Sequence, residues 1–150
     1  MILIEKVLLL KKVHFLGSVP PDILAWVAES AQEESIHEDE LIFEKGSEAE
    51  TTYVIIEGSV QEYNGKKSLR TLVAGECFGL LSLLDEGTRS ASAKAVTDCK
   101  LLRVEQAVFR QILLKHPKAM SALLSVLSKR IRGQIAVSYT HLTLPTIYSV

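Results

Sequence analysis

The sequence has few cysteines, almost no net charge and no long apolar run, and each shortage excludes a class of protein. Cys77 and Cys99 are its two cysteines in 150 residues, and they form no Cys-x-x-Cys pair. We expect both to be reduced core residues of a cytoplasmic protein, with a disulfide as the alternative. The formal net charge of -1 gives no electrostatic argument for binding nucleic acid or membranes. No apolar run approaches the length of a membrane-spanning helix.

The sequence also lacks the residue patterns of common enzymes and metal sites. The histidines, His14, His37, His116 and His141, form no His-x-His or His-Glu-x-x-His pair, so no metal or other cofactor is predicted. Neither Gly-x-Ser-x-Gly nor a phosphate-binding P-loop is present, and the sequence positions no base to activate Ser90. These observations predict that the protein is not an enzyme.

The central part of the chain has the period of short β-strands. Between Glu33 and Val104, apolar and polar residues tend to alternate, and turn residues such as Asn64-Gly65 separate the segments. Asn64-Gly65 is a hairpin signal, because both residues tolerate positive φ. The predicted strands are 35–37, 41–44, 53–57, 59–63, 68–72, 92–96 and 100–104. Seven or more short strands predict an antiparallel sandwich or jelly roll.

Two helices are predicted before these strands. The first begins near Met1, and its expected buried face contains Ile4, Val7, Leu8 and Lys11. The second begins at Pro20-Pro21-Asp22, because proline is tolerated in a first helical turn and Asp22 favours the positive end of the helix dipole. Its expected buried face contains Ile23, Trp26, Val27 and Ser30, with Trp26 in the core.

Two more helices are predicted after the strands. Glu105 opens a segment whose apolar residues are Val108, Phe109, Ile112 and Leu113, and which ends near His116-Pro117. The helix 118–132 follows, with an a/d-like seam of Met120, Leu124, Leu127 and Ile131. This seam predicts either a homodimer contact or packing on the roll. Lys129, Arg130 and Arg132 are interpreted as cations that complement a helix C-terminus, with DNA contact as the less favoured alternative.

The stretch Gly75–Ala91 combines the parts of a phosphate site. Gly79 precedes the apolar run Leu80–Leu84, which is long enough for a short helix. A glycine allows close approach of a ligand to the backbone, and the first amides of a helix attract anions. Arg89 follows and could supply a permanent positive partner. The alternative is a surface turn with an incidental arginine.

The order of these residues resembles the phosphate-binding cassette of cyclic nucleotide-binding domains, the sensors of the catabolite activator protein and of cyclic-AMP-dependent kinase regulatory subunits. The resemblance runs from about Glu5 to about Arg132 and includes 42–46, 53–58, 72–76 and the cassette. It implies a mainly β fold, a β-roll (double-stranded β-helix, jelly roll) with N-terminal helices, a short cassette helix and C-terminal helices. The implied ligand is cyclic AMP or cyclic GMP. The implied ligand-binding residues are Phe78, Gly79, Leu80, Leu81, Arg89, Ser90 and Ala91. Arg89 would bind the cyclic phosphate, and backbone N–H groups around Gly79 to Leu81 and Ser90 to Ala91 would complete the site.

The cassette departs from the family at one functional position. Leu80 stands where the family usually has the Glu that accepts a hydrogen bond from the ribose 2′-hydroxyl. A hydrogen bond to a charged group contributes roughly 1.5–3 kcal/mol, so its loss predicts about ten- to hundred-fold weaker binding. Two alternatives follow: a ligand-free interaction or dimerisation domain, or a less polar anion bound against Leu80 as an apolar wall.

The resemblance also suggests how the chain is organised. Residues 1–134 are predicted to form the sensor domain, in which ligand shifts the last helix and so signals to a partner or an attached domain. Neither a helix-turn-helix nor a cysteine cluster is recognisable, so no direct nucleic-acid contact is expected. Residues 135–150 match nothing in the family and resemble translated adapter sequence. We expect this tail to be non-native or disordered, and the domain to belong to a larger protein.

Overall fold

The computed structural model describes residues 1–82 and 87–142, with side chains described as far as Arg130 and at Arg132. The helices are α1 (Leu3–Lys12), a 3-10 turn (His14–Leu16), α2 (Pro21–Ser30), α3 (Gln106–Lys115) and α4 (Pro117–Leu142). The strands are β1 (Gln32–Ile36), β2 (Leu41–Phe43), β3 (Thr51–Glu57), β4 (Ser59–Asn64), β5 (Lys67–Val73), β6 (Cys77–Phe78), β7 (Ser92–Ala95) and β8 (Cys99–Glu105).

The strands form two antiparallel four-stranded sheets, in the orders β1-β8-β3-β6 and β2-β7-β4-β5. Strands distant in sequence are neighbours in each sheet, as a roll requires, and helices flank the roll. The predicted fold class is therefore confirmed. Each of the seven predicted strands overlaps an observed one. Strand β6 was not predicted, because two residues are too few to show a period.

Two apolar clusters lie on opposite faces of the first sheet. The helix-side cluster contains Val54, Cys77, Leu102 and Val104 together with residues of the helices. The roll-side cluster contains Tyr53, Ile55, Phe78 and Leu101. Neighbouring residues of β3, β6 and β8 alternate between the clusters, because successive side chains of a strand point to opposite faces. This sheet is the wall between the helices and the interior of the roll.

The N-terminal helices begin where expected but bury other faces. In α1, Ile4 and Leu8 are exposed, whereas Leu10 is buried and Val7 packs against the same cluster. Apolar residues of α1 itself point to several sides of the helix, so periodicity could not select the buried side. In α2, Leu24, Val27 and Ala28 are buried. Trp26 is 46% exposed, so its predicted place in the core is wrong.

The C-terminal helices show a similar difference. Helix α3 ends before His116, as predicted. In α4 the buried stripe is Ala119, Leu123 and Leu127, spaced four residues apart, and Leu124 of the predicted seam is 49% exposed. The side chain of Ile131 lies outside the described residues.

Helix α4 extends to Leu142, past residue 134. The domain boundary expected at residue 134 stays a prediction. Lys129, Arg130 and Arg132 therefore do not stand in its last turn, and the helix-dipole interpretation is wrong. Arg130 is half-buried near Arg70, and burial followed by the Arg70 charge lowers the pKa of its guanidinium.

The β4–β5 hairpin occurs where it was predicted, with a shift of one residue. Asn64 pairs with Lys67, so the two loop residues are Gly65 and Lys66. Gly65 has φ 62° and Asn64 keeps a negative φ. Positive φ at the first loop residue alone is typical of a type II′ turn, whereas the expected Asn-Gly turn requires it at both.

The two cysteines are free and buried. The disulfide alternative is thus not formed. Burial raises the pKa of the Cys77 thiol to about 12, so this side chain remains a neutral member of the helix-side cluster. Across 1–82 and 87–142, no helix combines the length and apolarity that crossing a bilayer requires.

Gly58, which joins β3 to β4, provides a test of how closely this turn approaches the start of β8. Its φ is 94°, and a Cβ there would lie 2.5 Å from the Asp98 carbonyl oxygen and 2.8 Å from Cys99 Sγ. We expect Gly58→Ala to lower the free energy of unfolding by about 3 kcal/mol, measured by urea denaturation.

Gly46→Ala is the matched control, since Gly46 has φ 88° and nothing within 4 Å of its Cβ position. Gly46→Ala should lower the free energy of unfolding by about 1 kcal/mol, because it has the cost of positive φ but no steric collision. Equal losses in the two variants would contradict the close approach of the β3–β4 turn to β8.

Candidate functional site

The backbone at Arg89 is fixed by the loop that follows β2. The Arg89 amide donates to the Ser47 carbonyl oxygen at 2.8 Å, and the Gly46 amide donates to the Arg89 carbonyl oxygen at 2.9 Å. The Lys45 amide donates to Ser92 Oγ at 2.8 Å, at the start of β7. These bonds hold both sides of Arg89 and direct its side chain into the protein.

The guanidinium of Arg89 is buried but only partly bonded. The residue is 5% exposed. Its Nη2 donates to the Thr51 carbonyl oxygen at 2.8 Å and to Thr51 Oγ1 at 3.2 Å, and its Cζ lies 4.1 Å from the centre of the Phe43 ring. Nε and Nη1 are buried with no hydrogen-bond partner among the described residues. Burial lowers the pKa of Arg89, with a smaller opposing effect of Tyr53.

Gly79 lies directly against this guanidinium. Its φ is 79°, and a Cβ at this position would lie 2.7 Å from Arg89 Nη1. The position therefore favours glycine for two reasons, the left-handed backbone and the close approach. Arg89 Nη1 and Gly79 together form what we call the anion cradle, and the sequence predicted both residues.

Aromatic rings form the roll-side wall next to Arg89. The ring centres of Tyr53 and Phe78 are 5.3 Å apart, and Phe43 lies 5.9 Å from Phe78 and 6.2 Å from Tyr53. Phe78 was a predicted site residue, whereas Phe43 and Tyr53 entered only as sequence landmarks. The Phe43 face on Arg89 stabilises a cation that has little access to water.

The other predicted site residues adjoin Gly79 or Arg89 in sequence, but their side chains differ in burial. Leu80 is 3% exposed and belongs to the helix-side cluster, so its side chain packs with the helices. Its interpretation as an apolar wall of the ligand site stays a prediction. Strand alternation would have placed Leu80 with Phe78 on the roll side. Strand β6 ends at Phe78, however, and the left-handed backbone of Gly79 separates it from Leu80, which lies with Cys77 on the helix side. Leu81 is 40% exposed.

Ser90 is exposed and Ala91 is buried, beside Arg89 in sequence. Helical backbone is described at Leu81 and Ser82, and the rest of the predicted cassette helix, 83–86, lies outside the described residues.

A buried polar network next to the cradle was missed by sequence reasoning. Gln106, at 1% exposure, places its Nε2 2.8 Å from Ser82 Oγ. Ser82 Oγ in turn donates to the Gly79 carbonyl oxygen at 3.3 Å. One signal could have shown it: Gln106 is a polar residue in register with Phe109 and Leu113 on the apolar face of α3. Nothing in the sequence indicated Thr51.

The described residues contain no group of three or more His, Cys, Asp or Glu that could hold a metal ion. What the arrangement offers chemically is a desolvated, partly unpaired guanidinium beside bare backbone. Such a site suits a small anion with oxygen acceptors, because charge-assisted hydrogen bonds are strongest away from water.

Comparison with known proteins agrees with this geometry. The profile of the family described as cyclic nucleotide-binding domain matches residues 33–116. The chain belongs to this family. The matched range contains every strand from β2 to β8, the cradle and α3, so the cyclic nucleotide-binding domain includes the whole site.

Two relatives illustrate how the domain is used elsewhere. The chain is 34% identical over 96 residues to the cyclic AMP receptor protein of Thermus thermophilus, covering 61% of this chain and 44% of the relative. It is 32% identical over 88 residues to the cAMP-dependent protein kinase regulatory subunit of Eremothecium gossypii, covering 59% and 19%. The chain thus spans less than half the length of either relative. By name, the first is a receptor for cyclic AMP and the second is a kinase regulatory subunit.

Among solved structures, the cyclic nucleotide-binding domain resembles cAMP-bound PfPKA-R with a TM-score of 0.74. The likeness covers 95% of this chain and 49% of the other at 24% identity, and it shows the shared fold.

The unpaired donors of Arg89 lead to a prediction about inorganic phosphate. We expect phosphate to raise the melting temperature of the parent and to leave that of Arg89→Met unchanged, because only the parent offers Nε and Nη1. An anion at a hundred times its Kd stabilises by about 2.7 kcal/mol. Differential scanning fluorimetry against phosphate concentration, at constant ionic strength, measures the shift.

Arg132→Met is the matched control, since Arg132 is exposed. This variant should respond to phosphate as the parent does. An equal response from Arg89→Met would show that phosphate acts elsewhere on the surface.

Proposed function

We propose that this domain is a regulatory module that binds a small phosphate-bearing ligand, a cyclic nucleotide in the first instance, and transmits binding through its C-terminal helices. The observation that carries the proposal is the buried Arg89, whose Nε and Nη1, next to Gly79, have no hydrogen-bond partner in the part of the chain that the structure describes. A buried cation with unpaired donors is costly unless an anion supplies the missing acceptors.

The phosphate end of such a ligand fits the cradle. Two phosphate oxygens would accept hydrogen bonds from Nε and Nη1, while Nη2 stays on Thr51. The missing side chain at Gly79 lets the Arg89 guanidinium lie against the backbone, since a Cβ there would be 2.7 Å from Nη1. The names of the two relatives refer to cyclic AMP, which supports that nucleotide as the first candidate here, with cyclic GMP as the second.

The sugar end fits less well. Leu80 occupies the position of the ribose-binding Glu and is packed in the helix-side cluster. A carboxylate introduced there would need to leave an apolar environment to reach a ribose. Binding would therefore depend on the phosphate and on stacking against apolar walls, with little contribution from the 2′-hydroxyl.

The second candidate function is a ligand-free interaction or dimerisation domain, and burial of Leu80 is the observation that favours it. Under that proposal the fold persists while the sugar half of the site is lost. In either case the domain acts on a partner or an attached domain and carries out no reaction of its own. We propose the cytoplasm as its location, since its two buried cysteines are free.

The first experiment is a calorimetric titration with cyclic AMP and its 2′-deoxy analogue. We expect the parent to bind both with Kd values within about threefold, because Leu80 cannot accept a hydrogen bond from the 2′-hydroxyl. A Glu at this position would favour cyclic AMP over the 2′-deoxy analogue about ten- to hundred-fold. Arg89→Ala should abolish both affinities, and Arg132→Ala should preserve them.

A tenfold or larger preference for cyclic AMP would show that another group reads the 2′-hydroxyl. Absence of binding to either nucleotide by the parent, together with an intact fold, would favour the ligand-free domain.

A homodimer through 118–132 remains a separate proposal. Leu124 is half-exposed on α4, and Met120 packs only partly against the core. If α4 pairs with its twin, Leu124→Lys should reduce the dimer fraction measured by light scattering, and the exposed neighbour Ser125→Lys should not. A strictly monomeric parent at high concentration would contradict this proposal.

A further inference from the structure

The side chain of Gln106 connects the anion cradle with the first turn of α3. Its Nε2 lies 2.8 Å from Ser82 Oγ, 3.4 Å from the Thr51 carbonyl oxygen and 3.5 Å from the Gly79 carbonyl oxygen. One amide group thus contacts the cassette at two points and β3 at a third. The residue is 1% exposed, so water does not substitute for these contacts.

The other end of the same amide faces along α3. Its Oε1 accepts a hydrogen bond from Arg110 Nη2 at 3.2 Å. An amide oxygen can only accept and an amide nitrogen can only donate, so the Arg110 contact fixes which end faces Ser82. The backbone amide of Gln106 donates to the Glu50 carbonyl oxygen at 2.9 Å, adjacent to Thr51.

The Thr51 carbonyl oxygen is shared between Arg89 and Gln106. Arg89 Nη2 donates to it at 2.8 Å, and Gln106 Nε2 approaches it at 3.4 Å. The contacts of Gln106 to Thr51 and Gly79 are longer than an ordinary N–H···O bond of about 2.9 Å. A shift of a few tenths of an ångström in Arg89 or Gly79 would therefore strengthen or break them.

We infer that Gln106 is a positioning residue that couples the state of the Arg89–Gly79 cradle to the position of α3. An anion that draws Arg89 and Gly79 together changes the acceptors available to Gln106, and the first turn of α3 follows its side chain. This inference rests on the proposed function for its ligand but concerns contacts that exist within the protein. A purely structural Gln106 would affect stability without affecting the response of α3.

The first experiment measures hydrogen exchange of the α3 amides, 107–115, in the full chain with and without saturating cyclic AMP. We expect Gln106→Met to bind cyclic AMP within about threefold of the parent while the ligand-induced change in α3 exchange falls about fivefold or more. Gln106→Glu, which keeps the acceptor for Arg110 but loses the amide donor, should show the same loss.

Gln111→Met is the matched control, because Gln111 is an exposed residue of the same helix. Its α3 response should equal that of the parent. A parental response in Gln106→Met would overturn the inference, since α3 would then be reached by another route.

A second arm needs no ligand and separates this inference from the proposed function. Arg89→Lys changes the cradle directly, and we expect it to alter α3 exchange in the parent background about fivefold more than in the Gln106→Met background. Failure of cyclic AMP to bind the parent would count against the proposed function, and this arm would then decide the inference alone. An equal effect of Arg89→Lys in both backgrounds would overturn it.

Ser82→Ala provides the same test without changing Gln106, should the Gln106 variants fail to fold. It removes the acceptor of the 2.8 Å contact. We expect it to weaken the α3 response to Arg89→Lys as Gln106→Met does. An unchanged response in Ser82→Ala would contradict the route through the cassette.

Discussion

Burial of the Arg89 guanidinium is the constraint on which the site depends. A cation at 5% exposure has lost most of its hydration, and the protein replaces it with Thr51 on one edge and the Phe43 ring on one face. Such partial compensation leaves a net cost unless the remaining donors also find acceptors. The loop from Gly46 to Ser47 keeps the residue in place despite that cost. The proposed anion-binding site rests on this incomplete pairing.

The sheet β1-β8-β3-β6 determines what else can belong to the site. Its two faces serve two clusters, so a residue near the cradle contributes to the ligand side or to the helix side. Phe78 contributes to the roll and Leu80 to the helices. This division is consistent with the proposed site, in which Arg89 and Gly79 would hold the phosphate while the Leu80 side chain belongs to the core.

In the proposed regulatory module, polar contacts at the end of the sheet connect the Arg89 site with the helices. Most of that wall is apolar, and the polar contacts across it are few. Thr51, Ser82 and Gln106 form a hydrogen-bonded connection at the place where β8 ends and α3 begins. A regulatory signal can act on α3 only through differences in contacts between two states, and this network supplies contacts able to differ.

The sequence by itself determined the features that depend on near neighbours. The period of two predicted the strands, Pro21 marked the start of α2, and Gly79 with Arg89 identified the cradle, because each reflects local backbone geometry or a motif. Tertiary structure decided which helix faces are buried, exposing Trp26 and burying Ala119, since an apolar helix offers several faces and only its partners select one. It also brought Gln106 to Thr51, because strand pairing between β3 and β8 joins residues that no local period relates.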